Sequence, residues 1–147
     1  MKVLSIDDDV AMTELTAMLL RTHGFDVLTA NFAREAIQIV REQHPQAVII
    51  DLMMPDMDGR QICKIIREFS NVPIIILSAL NDPETVASAL DSGADDYLVK
   101  PVPSDVLAAH LNRIIKRTGR LTMSPERVAS SWIPATTAIQ TRPIKSA

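Results

Sequence analysis

The sequence predicts an α/β domain: one five-stranded parallel sheet, doubly wound by helices in a (βα)5 order. Three observations carry this. Short runs rich in Val and Ile alternate with longer stretches of helical period. Turn residues bound each run, as expected of strands buried on both faces. Aromatic residues make up only 3% of the 147 residues, so any core has to be aliphatic.

The expected strands are Val3–Ile6, Val27–Ala30, Ala47–Ile50, Pro73–Leu77 and Tyr97–Val99. Between them apolar residues recur at i, i+3, i+4 and i+7. Leu15, Met18 and Leu19 give a first, weak stripe, and Ala33, Ala36, Ile37 and Val40 give a second. Ile62, Ile65, Ile66 and Phe69 form the third, and Val86, Ala89 and Leu90 a weak fourth. Leu107, Leu111, Ile114 and Ile115 form the fifth, with His110 beside them. Such stripes mark helices that bury one face. Asn31 and Asp82 are expected as N-caps, Pro83 as a first-turn residue, and Gly24 and Gly93 as C-terminal caps. Helical crossovers of this length make the strands parallel and put helices on both faces.

The rhythm ends near Thr118, dividing the chain into a domain over 1–118 and a linker or tail over 119–147. Pro125, Pro134 and Pro143 punctuate the tail, where Ser124-Pro125-Glu126 could open a short helix carrying Val128 and Trp132. A linker is the blander reading. Residues 1–118 hold 11 basic and 17 acidic residues, a balance of −6, whereas 119–147 carry +3. An acidic body is a poor nucleic-acid surface, and the four dispersed cations of the tail make no basic patch. No apolar run approaches a membrane span, and three aspartates by position 9 leave no room for a signal-peptide core. Cys63 is the only cysteine, so no internal disulfide forms, and a cytoplasmic location is expected.

In open α/β sheets, ligands bind beyond the carboxyl ends of the strands. Here those ends carry Asp7-Asp8-Asp9, Asp51, Ser78 and Lys100-Pro101. An Asp before a helix is ordinarily a cap, and a strand-end Lys is ordinarily solvated. Asp51 shifts that balance, because it emerges from a buried strand beside the first strand's acids. Two carboxylates about 4 Å apart repel by about 4 kcal/mol at an effective dielectric near 20, so a third demands a cation. Oxygen-only ligands suit Mg²⁺ rather than zinc. A metal, an ammonium, a hydroxyl and a central carboxylate together suit phosphoryl chemistry.

These residues carry a family resemblance. Across residues 2–118 the chain resembles a response-regulator receiver domain of two-component signalling. The matching stretches are Ser5-Ile6-Asp7-Asp8-Asp9, Asp51-Leu52-Met53-Met54-Pro55-Asp56-Met57-Asp58-Gly59, Ile76-Leu77-Ser78-Ala79, and Gly93-Ala94-Asp95-Asp96-Tyr97-Leu98-Val99-Lys100-Pro101. The resemblance implies a flavodoxin-like fold. It also implies that Asp51 accepts phosphate from a sensor histidine kinase and that Mg²⁺ assists. Asp8 would be a direct metal ligand, with Asp7 acting mainly through water and the Met53 backbone carbonyl completing the set beside Asp51. Lys100 would contact the phosphoryl group, Ser78 and Tyr97 would act as switch residues, and the Lys100-Pro101 peptide would be cis. Asp9 is left as a cap. Met53, Met54 and Met57 read as packing residues, since thioethers suit softer metals. His23 and His44 have no place at the site.

Two departures matter. Val102 stands where relatives often carry an aromatic, which bears on local packing. Val106 and His110 stand where winged-helix regulators usually carry an acid and an arginine that support an active homodimer through the fourth helix, fifth strand and fifth helix. In that mode Asp95 and Asp96 would face basic groups of the partner. A histidine brings little charge above neutrality, so a weak dimer, tighter at pH 6 than at pH 8, is expected.

Two other functions compete. A haloacid-dehalogenase-type phosphatase would also use strand-end acids, a hydroxyl, a lysine and Mg²⁺. It would put its nucleophile on the first strand, add an acidic pair after the lysine, and carry a substrate cap; here Asp105 is the only acid after Lys100 within the domain. The second competitor is a receiver detached from a DNA-binding or enzymatic effector, since the tail is too short for one. The leading expectation is a signalling domain rather than a turnover enzyme, with slow self-catalysed phosphorylation and dephosphorylation at most.

Overall fold

The computed structural model describes residues 1–121. Ten elements alternate along it: β1 (Lys2–Ile6), α1 (Val10–Arg21), β2 (Asp26–Ala30), α2 (Ala33–Gln43), β3 (Ala47–Asp51), α3 (Gly59–Arg67), β4 (Ile74–Ser78), α4 (Pro83–Asp91), β5 (Asp96–Val99) and α5 (Ser104–Leu121). The strands form one parallel sheet in the order β2-β1-β3-β4-β5. The expected fold class is therefore the observed one. Compactness divides the chain after Ile115, and the site and both cores lie in the unit Met1–Ile115. The expected tail helix with Val128 and Trp132 lies outside the described residues.

Alternation along the strands sorts side chains into two cores. Leu4, Ile6, Val48, Ile50, Ile74 and Ile76 point to one face and meet Ala36 and Val40 of α2, Ile62 and Ile66 of α3, and Ala89 of α4. Val3, Ile49 and Ile75 point to the other and meet Ala17 and Leu20 of α1 and Leu107, Leu111 and Ile114 of α5. Each fully buried Ile or Leu is worth about 1.5–3 kcal/mol of transfer free energy, so the central strands are the least dispensable segments. Val102 packs half-buried against the second core.

Helix α1 departs from expectation. Its buried residues are Thr13, Ala17 and Leu20, whereas Leu15, Met18 and Leu19 stay exposed. Asp9 fixes the helix start by accepting from the N–H groups of Ala11 (3.0 Å) and Met12 (3.3 Å), and small residues then let the helix approach the sheet closely. Thr13 buries its hydroxyl without loss by donating to the Val10 carbonyl at 2.9 Å. The displaced apolar residues Met12, Leu15 and Leu19 line a groove of about 460 Å³ with Pro101, Val102 and Leu107. In α4 only Ala89 of the expected stripe is buried; Leu90 is exposed.

Caps also differ in part. Asp82 caps α4 by accepting from Thr85 N–H at 3.1 Å, with Pro83 following in the first turn. Asn31 does not cap α2; the N-cap position is Phe32, which contributes no side-chain bond. The first-turn N–H of Ala33 donates instead to Asp56 Oδ2 at 2.8 Å, from a loop 23 residues away. Gly24 (φ +88°) and Gly93 (φ +115°) adopt the left-handed backbone that ends α1 and α4.

Candidate functional site at the carboxyl edge of the sheet

Parallel pairing puts the ends of β1, β3, β4 and β5 side by side. Ile6 pairs with Ile50, Asp51 with Leu77, and Ser78 with Val99, so the polar residue after each run arrives at one edge. Asp7, Asp8 and Asp51 come together there, each offering an oxygen within 4.8 Å of the others. Asp7 is buried, Asp51 partly so, and Asp8 exposed. Lys100 Nζ stands 3.6 Å from both Asp7 Oδ2 and Asp51 Oδ1. One ammonium thus faces two of three carboxylates, leaving the group net anionic.

Hydrogen bonds from the surrounding backbone and from Asn31 position this cluster. Asp9 N–H donates to Asp7 Oδ1 at 3.0 Å, and Asn31 Nδ2 donates to the Asp7 carbonyl at 2.8 Å and to Thr13 Oγ1 at 3.1 Å. This double clasp is the work Asn31 does in place of capping. The Met53 N–H lies 3.4 Å from Asp51 Oδ1. The Met53 side chain is exposed, against the packing role expected of it, whereas Met54 is buried and Met57 packs partly buried on the core. Gly59 closes the loop after Asp51 by donating to the Leu52 carbonyl at 2.9 Å. A Cβ there would sit 2.9 Å from the Asp51 carbonyl oxygen and 2.9 Å from Leu52 Cα. Only glycine admits that approach.

Ser78 is fully buried, and its Oγ accepts from Leu80 N–H at 3.1 Å. The Tyr97 hydroxyl donates to the Leu80 carbonyl at 2.7 Å. Lys100 N–H bonds the Ser78 carbonyl at 2.8 Å, and the Lys100-Pro101 peptide is cis. Asp9 stands apart as the cap of α1. His23 lies near Ser104 (Nε2 to Oγ, 3.5 Å), and His44 takes the left-handed position ending α2; neither reaches the cluster.

Three participants escaped sequence reasoning. Asp56 and Asn31 act across 23 and 24 residues of chain, where no local pattern signals contact. Arg60 binds Asp58 through Nε (3.0 Å) and Nη2 (2.8 Å), while Asp58 caps α3 through Arg60 N–H at 2.7 Å. The Arg60 hydrogen bonds hold the Asp58 carboxyl below its ordinary range, against the opposing effect of burial. On the far side of the sheet edge, Asp96 accepts from Arg113 (2.8 Å) and pairs with His110 Nδ1 (2.6 Å), and Asp95 pairs with Arg67 (3.0 Å). Both acids expected to face a partner are thus engaged within their own chain.

The donor set is all oxygen, anionic in excess and open on the Asp8 side, with neither His nor Cys in the group. That fits a hard divalent cation such as Mg²⁺ and gives no support to zinc.

A family model described as the response regulator receiver domain matches residues 3–112. The chain is 39% identical over 119 residues to a probable transcriptional regulator, ycf27, of Porphyridium aerugineum, covering 81% of this chain and 50% of that one. It is 38% identical over 116 residues to the DNA-binding response regulator MtrA of Mycobacterium tuberculosis, covering 79% and 51%. The chain therefore spans about half the length of the curated relatives it matches. Among solved structures, the receiver domain of the Francisella response regulator 1452 superposes with a TM-score of 0.75 at 38% identity, covering 80% of this chain and 98% of that one. The beryllofluoride-activated receiver domain of Klebsiella pneumoniae RstA gives 0.74 at 30% identity, covering 78% and 98%.

Proposed function

The chain belongs to the response-regulator receiver family, and from that membership we propose that Asp51 is its phosphoacceptor and that a sensor histidine kinase is the donor. The observation that carries this is the Asp7–Asp8–Asp51 cluster with Lys100 set on Asp51. A carboxylate oxygen of Asp51 forms a bond to phosphorus while the donor's P–N bond breaks, and the leaving imidazole takes up a proton from solvent. Lys100 is placed to follow a phosphoryl oxygen from its position 3.6 Å from Asp51. Asp8, Asp51, the Met53 carbonyl and, through water, Asp7 would hold Mg²⁺, which when bound offsets the negative charge of the acceptor and the incoming group.

The product adds negative charge and acceptor oxygens next to Ser78. Ser78 then donates toward the phosphoryl group, and the readjustment passes through Leu80 to Tyr97, biasing the α4-β5-α5 surface. Any autophosphorylation and dephosphorylation by the domain itself is slow, and the output is conformational rather than catalytic. We assign the receiver to 1–118 and a linker role to 119–147. Among the described residues no helix is long and apolar enough to cross a membrane, and we place the chain in the cytoplasm. The relatives' description as DNA-binding supports a receiver that commands such an output, although its own acidic surface makes no nucleic-acid contact in this proposal. Homodimerisation through α4-β5-α5 belongs to the proposal too, with Asp96 satisfied internally by His110 and Arg113.

Acetyl phosphate with Mg²⁺ tests the acceptor assignment. Intact-mass measurement should find about one added phosphoryl group per wild-type chain and none on Asp51→Asn. Undiminished labelling of that variant would overturn it.

A further inference from the structure

We infer that Arg60 couples the acidic site to α4 by a contact separate from the Ser78–Leu80–Tyr97 connection; this rests on the acceptor reading above. The Arg60 guanidinium spans two elements. Its Nε and Nη2 grip Asp58, and its Nη1 donates to Ser88 Oγ on α4 at 3.2 Å. Asp58 and Gly59 end the loop that begins at Asp51, and that loop has little slack. Gly59 N–H binds the Leu52 carbonyl, and the Gly59 backbone lies against the Asp51 carbonyl with no room for a methyl group. At the loop's other margin Asp56 is tied to the N-terminus of α2. A displacement of Asp51 or of the Met53 carbonyl is therefore passed to Asp58 rather than absorbed.

Helix α4 is the element best able to respond. It buries one residue, Ala89, whereas α3 buries Gly59, Ile62, Cys63 and Ile66. Few apolar contacts hold it, so a single polar contact is a large share of what fixes its position. Asp58 is bound in bidentate fashion, so the guanidinium plane is set by the loop and its third donor is aimed by that plane. Arg60 is a positioning residue in this scheme: it touches neither the acceptor nor the metal oxygens.

Coupling between sites is reciprocal. If occupancy of the acidic site reaches Ser88 through Arg60, a change at Ser88 has to alter binding at the acidic site. Ser88 is an exposed helix residue, and Ser88→Ala keeps the helix intact because Ala is the better helix former. The measurement is beryllofluoride affinity in the presence of Mg²⁺ for wild type, Ser88→Ala, Arg60→Ala and the double variant of the full chain. Ser88→Ala should shift the Kd by about two- to fivefold, the scale of one exposed polar contact. In the Arg60→Ala background the same change should have no further effect. Amide exchange across residues 83–91 should respond to beryllofluoride less in both single variants than in wild type. A silent Ser88→Ala, or effects that simply multiply in the double variant, overturns the coupling while leaving the acceptor reading intact. A wild type that takes up no beryllofluoride overturns both.

Discussion

Ser78 and Tyr97 meet on the backbone of one residue: Leu80 gives its N–H to Ser78 Oγ and receives the Tyr97 hydroxyl on its carbonyl. The two side chains come from adjacent strands, β4 and β5, and each is bonded to Leu80 rather than to the other. Leu80 itself is exposed, so its backbone, rather than its side chain, joins them. In the proposed switch, a Ser78 hydroxyl that turns toward a phosphoryl oxygen would weaken its hold on Leu80, and the carbonyl to which Tyr97 is bound would move with it.

The first prediction concerns that shared residue. Tyr97→Phe should cost about 1 kcal/mol in urea unfolding, the usual worth of one hydrogen bond. Ser78→Ala should cost somewhat more, because a part-buried N–H loses its acceptor. The double variant should lose less than the sum, by about 0.5 kcal/mol, since both bonds fix one backbone position. Strict additivity would show that Leu80 does not link them.

A second prediction ranks the acids proposed to hold Mg²⁺. Both oxygens of Asp7 already have partners, Asp9 N–H on Oδ1 and Lys100 on Oδ2, whereas Asp8 is exposed. Asp8→Ala should weaken Mg²⁺ binding by at least about tenfold, and Asp7→Ala by less. Calorimetric titration, or the Mg²⁺ dependence of labelling by acetyl phosphate, distinguishes them. Equal losses would remove the distinction between direct and water-mediated ligands.

The third prediction uses Cys63, which is buried on α3. Burial pushes its thiol pKa up from 9.0, opposed by a hydrogen bond with Ser92 and the nearby Arg67 charge. A raised folded-state pKa means that the protonated native form is favoured. The associated stability is fully present below the unfolded value and is lost as pH rises through the folded one. Wild type should therefore lose stability relative to Cys63→Ala between about pH 8 and about pH 10. In the native protein at pH 8, a thiol reagent should label Cys63 at least about tenfold more slowly than in the unfolded chain. Rapid native labelling would contradict this.

Much of the molecule was legible before its structure, for identifiable reasons. Strand ends are local features, and parallel pairing by itself brings Asp7, Asp51, Ser78 and Lys100 to one edge. Asp9 and Asp82 were readable as caps because capping acts over two or three residues. Asp56 was not, because it serves a helix start that the chain reaches 23 residues earlier. The buried face of α1 was misread for a different reason. Hydrophobicity favoured Leu15, Met18 and Leu19, but the sheet accepts Thr13, Ala17 and Leu20, and close approach depends on side-chain size as well as polarity. Arg60 resembles any surface cation until Ser88 is seen beside it.

Gly24 and Gly59 are irreplaceable in opposite senses. Around Gly24 there is nothing within 4 Å of an added Cβ, yet its φ of +88° suits the mirror-image residue. The demand there is one of handedness, and a D-alanine introduced by chemical synthesis would meet it. At Gly59 the backbone makes no such demand, but the carbonyl of Asp51 and the Cα of Leu52 occupy the space a methyl group would take. Inverting the stereocentre answers the first constraint, whereas the second is a matter of volume set by the peptide group of Asp51, the proposed acceptor. The chain thus tolerates a change of chirality at a remote turn far better than the addition of one carbon next to its acidic cluster.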